Sequence, residues 1–489
     1  MTTEPRNVQH FINGQFVDSI DGKTFESISP IDNAVIANVA EGSIADADRA
    51  IEAARRAFDE GPWPHMSPAA RRKIIHRAAD NIEARLEELA TWETRDMGKP
   101  IAECRSKDVP RTAYNFRFFA DFAEQQHTEA FPKPWENVFS YTLRDPVGVS
   151  ACISPWNFPM MLESWKVAPA LAFGNTVVLK PAEQSPVTAS ILAECFAEAG
   201  MPEGVFNVIQ GFGPDAPGER LTTHPGVDLV TFTGESATGR IIMANAAQTL
   251  KRVSFELGGK SAAIVMEDAD MDRAIKGTID GIFRNQGEVC LAGSRLLVQR
   301  SIYDEFLARY VEAAEALVVG DPRDMATQIG PLVSTEHLDK VMSYIELGHQ
   351  EGAKLMTGGE RVTTGELAKG NFVAPTVFAD VDNSWRIAQE EIFGPVQVVV
   401  PFDTVDDAIR LANDNRYGLA GQIWTNNLNT AHKVAQEVRT GTMWVNCFFI
   451  RDLRAPFGGA KDSGIGREGG KYSEEFFTES KAVVVQFPS

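Results

Sequence analysis

Residues 176–180, TVVLK, form a short apolar run that leads into a helical segment opened by Ser185 and Pro186 and closed by Gly200. Three similar runs follow, each separated from the one before by a further segment: VFNVIQ (205–210), DLVTF (228–232) and VSFEL (253–257). Short β-branched strands alternating with helices imply βαβ units, and such units build a parallel sheet. This stretch predicts an α/β fold.

The pattern extends in both directions from this stretch. On the N-terminal side, after a short β entry, apolar residues recur at helical spacing around residues 46–58 and 75–89. After residue 260, a helical segment from Met271 to Asn285 precedes four strand-like runs: RLLVQ (295–299), PVQVVVPF (395–402), LAGQIWT (419–425) and GTMWVN (441–446). A second α/β domain is therefore expected, with its boundary near the GGK turn at 257–260. The last run, KAVVVQF (481–487), has no obvious local partner and is predicted to be an edge strand used in oligomerisation.

Charge and cysteine content exclude several classes of protein. The 489 residues include 47 basic and 67 acidic side chains, a formal net charge of −20, which disfavours nucleic acid or an anionic membrane as a partner. No run of 18 apolar residues predicts a membrane span, and the N-terminus lacks the pattern of a signal peptide. The five cysteines are scattered and have no C-x-x-C spacing. We expect a reduced cytoplasmic protein with neither disulfides nor a metal site.

Two glycine-containing turns are candidates for nucleotide binding. GFGPDA (211–216) follows a predicted strand and fits a permissive G-x-G-x-x-A form, although tight-turn glycines are about as good an explanation. LVTFTGESATGR (229–240) places Gly234 and Gly239 where a helix N-terminus offers free N–H groups to a pyrophosphate. Two such turns in one βαβ series favour a nucleotide site.

Three residues are candidates for chemistry. Cys290 lies in a glycine-flanked loop, FRNQGEVCLAGS (283–294), where a nucleophile is favoured over a core thiol, whereas the other four cysteines are expected to be inert. Glu256 ends an apolar strand before a glycine pair, which suits a general base of raised pKa, although a solvated carboxylate is the usual alternative. Asn157 lies between two prolines and is either a turn residue or an oxyanion donor.

Taken together, the motifs resemble those of the aldehyde dehydrogenase superfamily over nearly the whole chain. They are PWNFP (155–159), VVLKPAE (177–183), FTGE (232–235), FELGGK (255–260), NQGEVC (285–290), EEIFGP (390–395) and PFGGAKDSGIGRE (456–468). FTGE together with RDLR (451–454) is most similar to the 2-hydroxymuconic, 5-carboxymethyl-2-hydroxymuconic and 2-aminomuconic semialdehyde dehydrogenases. The resemblance implies three units: a Rossmann-type NAD domain (1–123 and 147–257), a catalytic α/β domain (258–457) and a small β oligomerisation element (124–146 and 458–489). It also implies a homodimer or homotetramer.

The same resemblance implies a catalytic mechanism. Cys290 attacks the aldehyde to give a thiohemiacetal, whose oxyanion is held by the Asn157 side chain and the Cys290 N–H. Hydride transfer leaves a thioester, which water activated by Glu256 hydrolyses to a carboxylate, without CoA. Lys166 and Glu468 match positions implicated in proton handling. A catalytically idle scaffold and a thiol esterase without redox chemistry are the alternatives from other classes.

For the cofactor, the resemblance places Lys180 and Glu183 at the adenosine ribose, where a carboxylate favours NAD over NADP. Residues expected along the rest of the groove are Trp156, Gly213, Phe232, Gly234, Glu391 and Phe393. Where most of the family has serine, this chain has Glu235, whose charge is unfavourable beside a pyrophosphate unless the side chain points away. Ser236 is the expected substitute as a phosphate ligand.

For the substrate, a small-molecule aldehyde, the resemblance places two arginines on the tunnel walls. Arg111 and Arg451 are predicted to clamp a carboxylate remote from the aldehyde. Arg454 is the reserve, or pairs with Asp452 as a structural brace. The expected apolar wall consists of Phe158, Leu162, Trp165 and Phe457. If the arginines instead make surface salt bridges, a neutral or cationic substrate such as betaine aldehyde is the alternative.

Overall fold

The structure is a computed structural model that describes residues 5–488. Its strands, in chain order, are β1 Arg6–Val8, β2 His10–Ile12, β3 Gln15–Val17, β4 Thr24–Ile28, β5 Val35–Ala40, β6 Ala130–Lys133, β7 Val138–Pro146, β8 Val149–Ile153, β9 Thr176–Lys180, β10 Phe206–Val208, β11 Leu229–Thr233, β12 Arg252–Glu256, β13 Ala262–Val265, β14 Arg295–Gln299, β15 Lys354–Thr357, β16 Thr376–Ala379, β17 Val396–Phe402, β18 Tyr417–Gly418, β19 Ala420–Trp424, β20 Thr442–Val445, β21 Ala460–Lys461, β22 Gly464–Ile465 and β23 Thr478–Gln486.

The α-helices are α1 Ile44–Asp59, α2 Pro68–Ala84, α3 Leu86–Met97, α4 Ile101–Glu103, α5 Val109–Glu124, α6 Pro159–Ala172, α7 Val187–Glu198, α8 Pro217–Thr223, α9 Ser236–Ala247, α10 Met271–Phe283, α11 Tyr303–Glu315, α12 Thr335–Gln350, α13 Arg386–Gln389, α14 Val405–Asn413, α15 Leu428–Glu437 and α16 Gly470–Phe477. The segment expected to be one helix around residues 75–89 forms two, because the chain leaves helical geometry at Arg85 (φ −102°, ψ 21°) before α3 begins.

The predicted βαβ series forms the centre of an eight-stranded sheet of order β22-β12-β11-β8-β9-β10-β2-β3. Its five central strands, β12 to β10 in that order, pair in parallel, and helices connect them. β8, β9, β11 and the distal half of β12 are buried, as expected for strands covered on both faces. The α/β prediction made from TVVLK is confirmed.

A second sheet of seven strands has the order β15-β16-β17-β14-β13-β19-β20. All of its pairings are parallel except that of the edge strand β15. The chain passes from the first sheet to the second between Glu256 and Ala262, through the GGK turn. The division into domains at 257/258 stays a prediction. β22 pairs with β12 of the first sheet, although the sequence prediction assigned its segment to the oligomerisation element.

The C-terminal strand has a partner within the chain that the sequence did not reveal. β23 pairs antiparallel with β7 through nine residue pairs, and β6 completes a three-stranded sheet. The partner lies more than 300 residues away in sequence, which is why no local signal marked it. β23 remains the outer strand of this sheet, so its second edge is unpaired within residues 5–488. In the same described range, no helix is both long and apolar enough to cross a membrane.

Candidate active site

Cys290 lies at the junction of the two large sheets, in the loop that follows α10. Two residues shortly before it, Asn285 and Gln286, have left-handed backbone conformations (φ 48° and 54°). Non-glycine residues rarely adopt this conformation, and such strain concentrates at functional sites. The turn brings the partly exposed Cys290 to the wall of a cavity of ≈ 730 Å³, measured with its open mouth.

The cavity gathers residues from six separate stretches of the sequence. Its lining consists of Pro155, Trp156, Asn157, Thr233, Gly234, Glu235, Leu257, Gly258, Cys290, His337, Lys340, Glu391 and Phe393. The structure therefore brings together the nucleophile candidate, the oxyanion asparagine and four of the nine residues predicted for the cofactor. Below we call it the catalytic cavity.

Asn157 is held in a fixed orientation by the loop that carries Cys290. Its side-chain amide donates a hydrogen bond to the carbonyl of Glu288 at 2.8 Å, and its backbone carbonyl accepts one from the Asn285 side chain at 2.9 Å. Asn157 and Asn285 are both buried. An amide has two N–H donors, so one remains for an oxyanion. Asn285 was missed in the sequence, although it lies in the quoted NQGEVC motif.

Burial raises the pKa of the Cys290 thiol to about 12, and the carboxyl groups of Glu391 and Glu256 contribute further. The site therefore holds Cys290 as a thiol at neutral pH, and a proton has to leave before attack. The carbonyl of Cys290 lies tight against Gly259, where an added Cβ would come within 2.3 Å of it. A residue larger than glycine at 259 would displace the nucleophile.

Glu256 is the last residue of β12, in register with Thr233 of β11 and opposite Gly464 of β22. Its side chain is buried, and neither carboxylate oxygen has a hydrogen-bond partner within residues 5–488. Burial first, and the nearby Glu468 second, raise its pKa well above the usual value. A buried carboxylate without partners retains its basicity, as a general base requires.

Lys166 and Glu468 form a buried ion pair beside Glu256. The Lys166 ammonium donates to Glu468 Oε1 at 3.1 Å and to the Thr231 hydroxyl at 3.0 Å. Both charged side chains are buried. The two residues expected to handle protons are thus in direct contact, and Thr231 of β11, missed in the sequence, completes the group.

Three residues predicted for the cofactor, Trp156, Glu391 and Phe393, form part of the cavity wall. Glu391 Oε1 accepts the Gly259 N–H at 2.8 Å, and burial raises the pKa of Glu391 to about 7. The ring of Trp156 packs edge-on against Phe393 and His337, at 5.3 Å from each. His337 and Lys340, on α12, were missed because their segment, STEHLDK, shows no more than an N-capped helix.

Lys180 and Glu183 lie together at the end of β9. The buried Lys180 ammonium donates to the Pro181 carbonyl at 2.9 Å and to Glu183 Oε2 at 3.5 Å. Burial lowers the pKa of Lys180. Glu183 lines a second cavity, together with Phe25, Phe212 and Val333. Gly213 follows Phe212 in the turn after β10, where an added Cβ would meet no atom within 4 Å.

Gly234 and Phe232 lie at the end of β11, where the backbone runs against the Phe232 ring. A Cβ added to Gly234 would come within 2.4 Å of that ring, so a larger residue at 234 would displace Phe232. Glu235 is exposed and lines the catalytic cavity, and its exclusion as a phosphate ligand stays a prediction. The structure also speaks against Ser236 as a phosphate ligand, because its buried hydroxyl already donates to the Asp462 carbonyl at 2.9 Å.

Arg451 lies between two aromatic rings of the predicted tunnel wall. Its guanidinium carbon is 3.5 Å from the centroid of the Phe457 ring and 4.5 Å from that of Trp165. Burial, and after it the charge of Arg111, lowers the pKa of Arg451 to about 10. Phe158 stacks on Phe449, with 6.1 Å between ring centroids, which adds a wall residue that was not predicted.

Arg111 occupies the neighbouring helix α5 and donates to the Asn115 side chain at 2.9 Å. Within residues 5–488, neither Arg111 nor Arg451 has a carboxylate oxygen within 4 Å, so the surface salt-bridge alternative does not hold for them. Leu162 is half-buried on α6. Arg454 does not join this group: it is exposed and pairs with Asp452 at 2.6 Å, the brace considered as its alternative.

Comparison with known proteins agrees with this geometry. The sequence model of the Aldehyde dehydrogenase family matches residues 16–483. A 2-hydroxymuconic semialdehyde dehydrogenase from Pseudomonas sp. (strain CF600) is 48% identical over 98% of this chain and 100% of its own length. A benzaldehyde dehydrogenase from Antirrhinum majus is 46% identical over 98% of this chain and 90% of its own.

Among solved structures, the NAD+ complex of an aldehyde dehydrogenase from Bacillus cereus superimposes with a TM-score of 0.96 at 44% identity, covering 99% of this chain and 97% of the other. The family match spans nearly the whole chain, and both sheets and the catalytic cavity fall inside it. The chain belongs to the aldehyde dehydrogenase family, as its motifs predicted.

Proposed function

We propose that this aldehyde dehydrogenase uses NAD to oxidise an open-chain, muconic-type semialdehyde, which carries a carboxylate at the end remote from the aldehyde, to the dicarboxylate. The observation that supports this substrate is the pair Arg111 and Arg451, which lies beside the catalytic residues without an acidic partner in the described chain. Both guanidinium groups are partly buried, and the charges of Glu256 and Glu468 act on Arg451 only from beyond 4 Å, so a substrate carboxylate can supply the direct ionic partner.

The relatives support the same class of substrate. Besides the 2-hydroxymuconic enzyme, a 2-aminomuconic 6-semialdehyde dehydrogenase from Pseudomonas sp. is 45% identical over 98% of both chains. The benzaldehyde dehydrogenase is as similar overall, so total identity does not select between an acidic and a neutral aldehyde. The choice rests on the two arginines, and a neutral aldehyde remains the competing candidate in the test below.

The chemistry follows from the arrangement around Cys290. The Cys290 thiol first gives its proton to the nearby Glu256 carboxylate, from which the Lys166–Glu468 pair can pass it on. The thiolate then adds to the aldehyde carbon, and the resulting oxyanion accepts a hydrogen bond from the free N–H of the Asn157 amide. One such donor contributes about 10²- to 10³-fold in rate. Bound NAD would supply the hydride acceptor, after which Cys290 would carry the acyl group as a thioester. Glu256 then takes a proton from a water molecule, which attacks the thioester and releases the carboxylate.

The residues along the cofactor groove fit NAD. Glu391 and Glu183 are carboxylates placed to accept hydroxyl hydrogen bonds, and the glycine backbone at 234 and 258 leaves space for a ligand. A Cβ on Gly258 would come within 2.2 Å of Glu391. A carboxylate at Glu183 opposes the charge of a 2′-phosphate, which favours NAD over NADP.

The cellular setting and the assembly are also part of the proposal. All five cysteines are free thiols, as a reducing cytoplasm would keep them. The unpaired edge of β23 and exposed apolar residues of the same sheet, Phe131 and Val484, favour a homodimer or homotetramer.

The decisive experiment measures NADH formation with a panel of aldehydes. We expect kcat/KM for 2-hydroxymuconic semialdehyde to exceed that for benzaldehyde and for betaine aldehyde by about 100-fold or more, because only the first offers a carboxylate to two guanidinium groups. Equal kcat/KM for the acidic aldehyde and benzaldehyde would reject the substrate class, while leaving the enzyme class intact. Absence of NADH with every aldehyde would reject the oxidation itself.

A further inference from the structure

The segment between α3 and α5 provides the acidic partners of two mostly buried cations. It runs over residues 99–108 and ends in a π-helical turn, Cys104–Asp108, a rare geometry that is often found at functional sites. Asp108 forms a buried ion pair with Lys99, at the start of the segment. Glu103 accepts a hydrogen bond from the Arg284 guanidinium at 3.1 Å. One short segment therefore fixes a cation on each side of itself.

The two cations lie over two aromatic rings that contact each other. The Lys99 ammonium is 3.6 Å from the centroid of the Phe158 ring, and the Arg284 guanidinium carbon is 4.5 Å from that of Phe449. Phe158 and Phe449 are stacked on one another. A cation is attracted to a ring more strongly where both are removed from water, and Lys99 and Phe158 are both buried. These contacts restrict the movement of the Phe158 side chain.

The residues held in this way are sequence neighbours of the two asparagines of the catalytic cavity. Phe158 directly follows Asn157, and Arg284 directly precedes Asn285. The Asn285 side chain donates to the Asn157 carbonyl at 2.9 Å, so the two neighbourhoods are themselves joined. A displacement of either Phe158 or Arg284 is therefore transmitted to the backbone of Asn157.

The loop that carries Asn157 has a further anchor where it enters α6. Pro159 begins this helix, and the N–H of Met160 in the first turn donates to Glu93 Oε1 at 2.9 Å. A carboxylate oxygen of Glu93 and one of Asp108 lie within 4.8 Å of each other, so the same polar cluster holds both ends of the loop segment. Proline on both sides restricts the backbone of the loop, which leaves it few ways to relax when an anchor is lost.

We propose that Lys99 and Arg284 are positioning residues, which together fix the direction of the Asn157 N–H that meets the substrate oxyanion. The inference rests on the oxyanion role proposed above for Asn157. A donor stabilises an oxyanion only over a narrow range of distance, about 2.7–3.1 Å. A small displacement of Asn157 therefore slows the formation of the thioester, although every reacting group is still present. Neither cation has to touch the substrate to have this effect.

A double-mutant cycle tests the proposal. The measured quantity is the single-turnover rate of NADH formation after rapid mixing of the enzyme–NAD complex with saturating benzaldehyde, which has no carboxylate and so does not involve the arginine clamp. We expect Asn157→Ala to lower this rate about 10²- to 10³-fold, and Lys99→Met to lower it about 10-fold or more. In the Asn157→Ala enzyme, Lys99→Met should lower the rate by less than about 3-fold further, because the group that Lys99 positions is already gone.

Arg95→Met is the matched control. The Arg95 guanidinium also lies over an aromatic ring, that of Trp92 on the same helix, at 4.6 Å. Neither residue is a sequence neighbour of Asn157 or Asn285. Loss of this cation–π pair should therefore leave the single-turnover rate unchanged, and the same rate loss as in Lys99→Met would count against a specific role of Lys99.

Arg284→Met provides a second arm of the experiment, which decides the question if Lys99→Met does not fold, because Arg284 is less buried than Lys99. It should lower the rate in the otherwise unchanged enzyme and much less in Asn157→Ala. Equal fold losses in both backgrounds would show a purely structural role and overturn the proposal, as would a normal rate in the single cation variants. A normal rate in Asn157→Ala would overturn it together with the oxyanion role of Asn157.

Discussion

Phe457 and Glu468 exchange two backbone hydrogen bonds, of 2.8 Å from the Phe457 N–H and 2.7 Å from the Glu468 N–H. The Arg451 guanidinium lies over the Phe457 ring, and the Glu468 carboxylate forms an ion pair with Lys166. This bridge connects the substrate side of the site to its proton-handling side. Gly458, the residue after Phe457, lies against the buried Glu256. A Cβ added to Gly458 would come within 2.8 Å of the Glu256 carboxylate.

Arg451→Met tests the carboxylate clamp. A charge-assisted hydrogen bond contributes about 1.5–3 kcal/mol, so KM for an acidic semialdehyde should rise about 10- to 100-fold while kcat/KM for benzaldehyde changes little. Steady-state kinetics with both aldehydes provide the measurement. Arg454→Met is the matched control: Arg454 is exposed and paired with Asp452, so its loss should leave KM for both aldehydes unchanged. Equal losses on acidic and neutral aldehydes would reject the clamp.

Cys290→Ala and Glu256→Ala separate the two halves of the reaction. The first should abolish NADH formation, because no thiohemiacetal can form. The second should give one NADH per active site and then turn over about 10²- to 10⁴-fold more slowly, because the thioester lacks its general base. Rapid mixing followed at the NADH absorbance distinguishes a burst from its absence. Normal multiple turnover in Glu256→Ala would assign deacylation to another group.

Removing one member of the buried Lys166–Glu468 ion pair should lower the free energy of unfolding more than removing both members. Lys166→Met leaves Glu468 buried without its cation, and such a loss destabilises a fold by about 3–5 kcal/mol. The double variant Lys166→Met with Glu468→Leu should recover much of that stability. The midpoints of urea unfolding for the single and double variants test this. The double variant should still hydrolyse the thioester slowly if the pair handles protons, and at the normal rate if its role is structural.

NAD affinity should depend on pH through Glu391. Burial raises the pKa of Glu391 in the folded protein to about 7. Below that pH the carboxyl group is protonated, and it is then a weaker hydrogen-bond acceptor for a ribose hydroxyl. The affinity for NAD should therefore fall as pH falls through 7. His337, whose pKa burial lowers to about 4, stays neutral over the same range. Calorimetric titration of NAD on either side of pH 7 provides the measurement, and a Glu391→Gln variant that kept the full pH dependence would contradict the assignment.

The sequence by itself determined the fold class, the family and the enzyme class, because each rests on local patterns. Alternating apolar runs and helical segments specify βαβ units, and the ordered motifs around Asn157, Glu256 and Cys290 lie on single strands or turns. The predictions for Lys166 with Glu468, and for Arg451 beside Trp165, named residues that the structure places in contact. Neither the sequence nor the comparisons test the catalytic and binding roles of those residues, which stay predictions.

Only the tertiary structure decided which polar groups have partners. The pairing of β23 with β7 joins segments more than 300 residues apart, and the commitment of Ser236 to the Asp462 carbonyl depends on a loop more than 200 residues away. His337 and Thr231 belong to the site although no local signal in the sequence marked them. Arg451 and Arg454 have the same chemistry three positions apart, yet one lies between aromatic rings and the other pairs with Asp452 at the surface. The two arginines differ in their burial and in their long-range contacts, and a sequence pattern shows neither property.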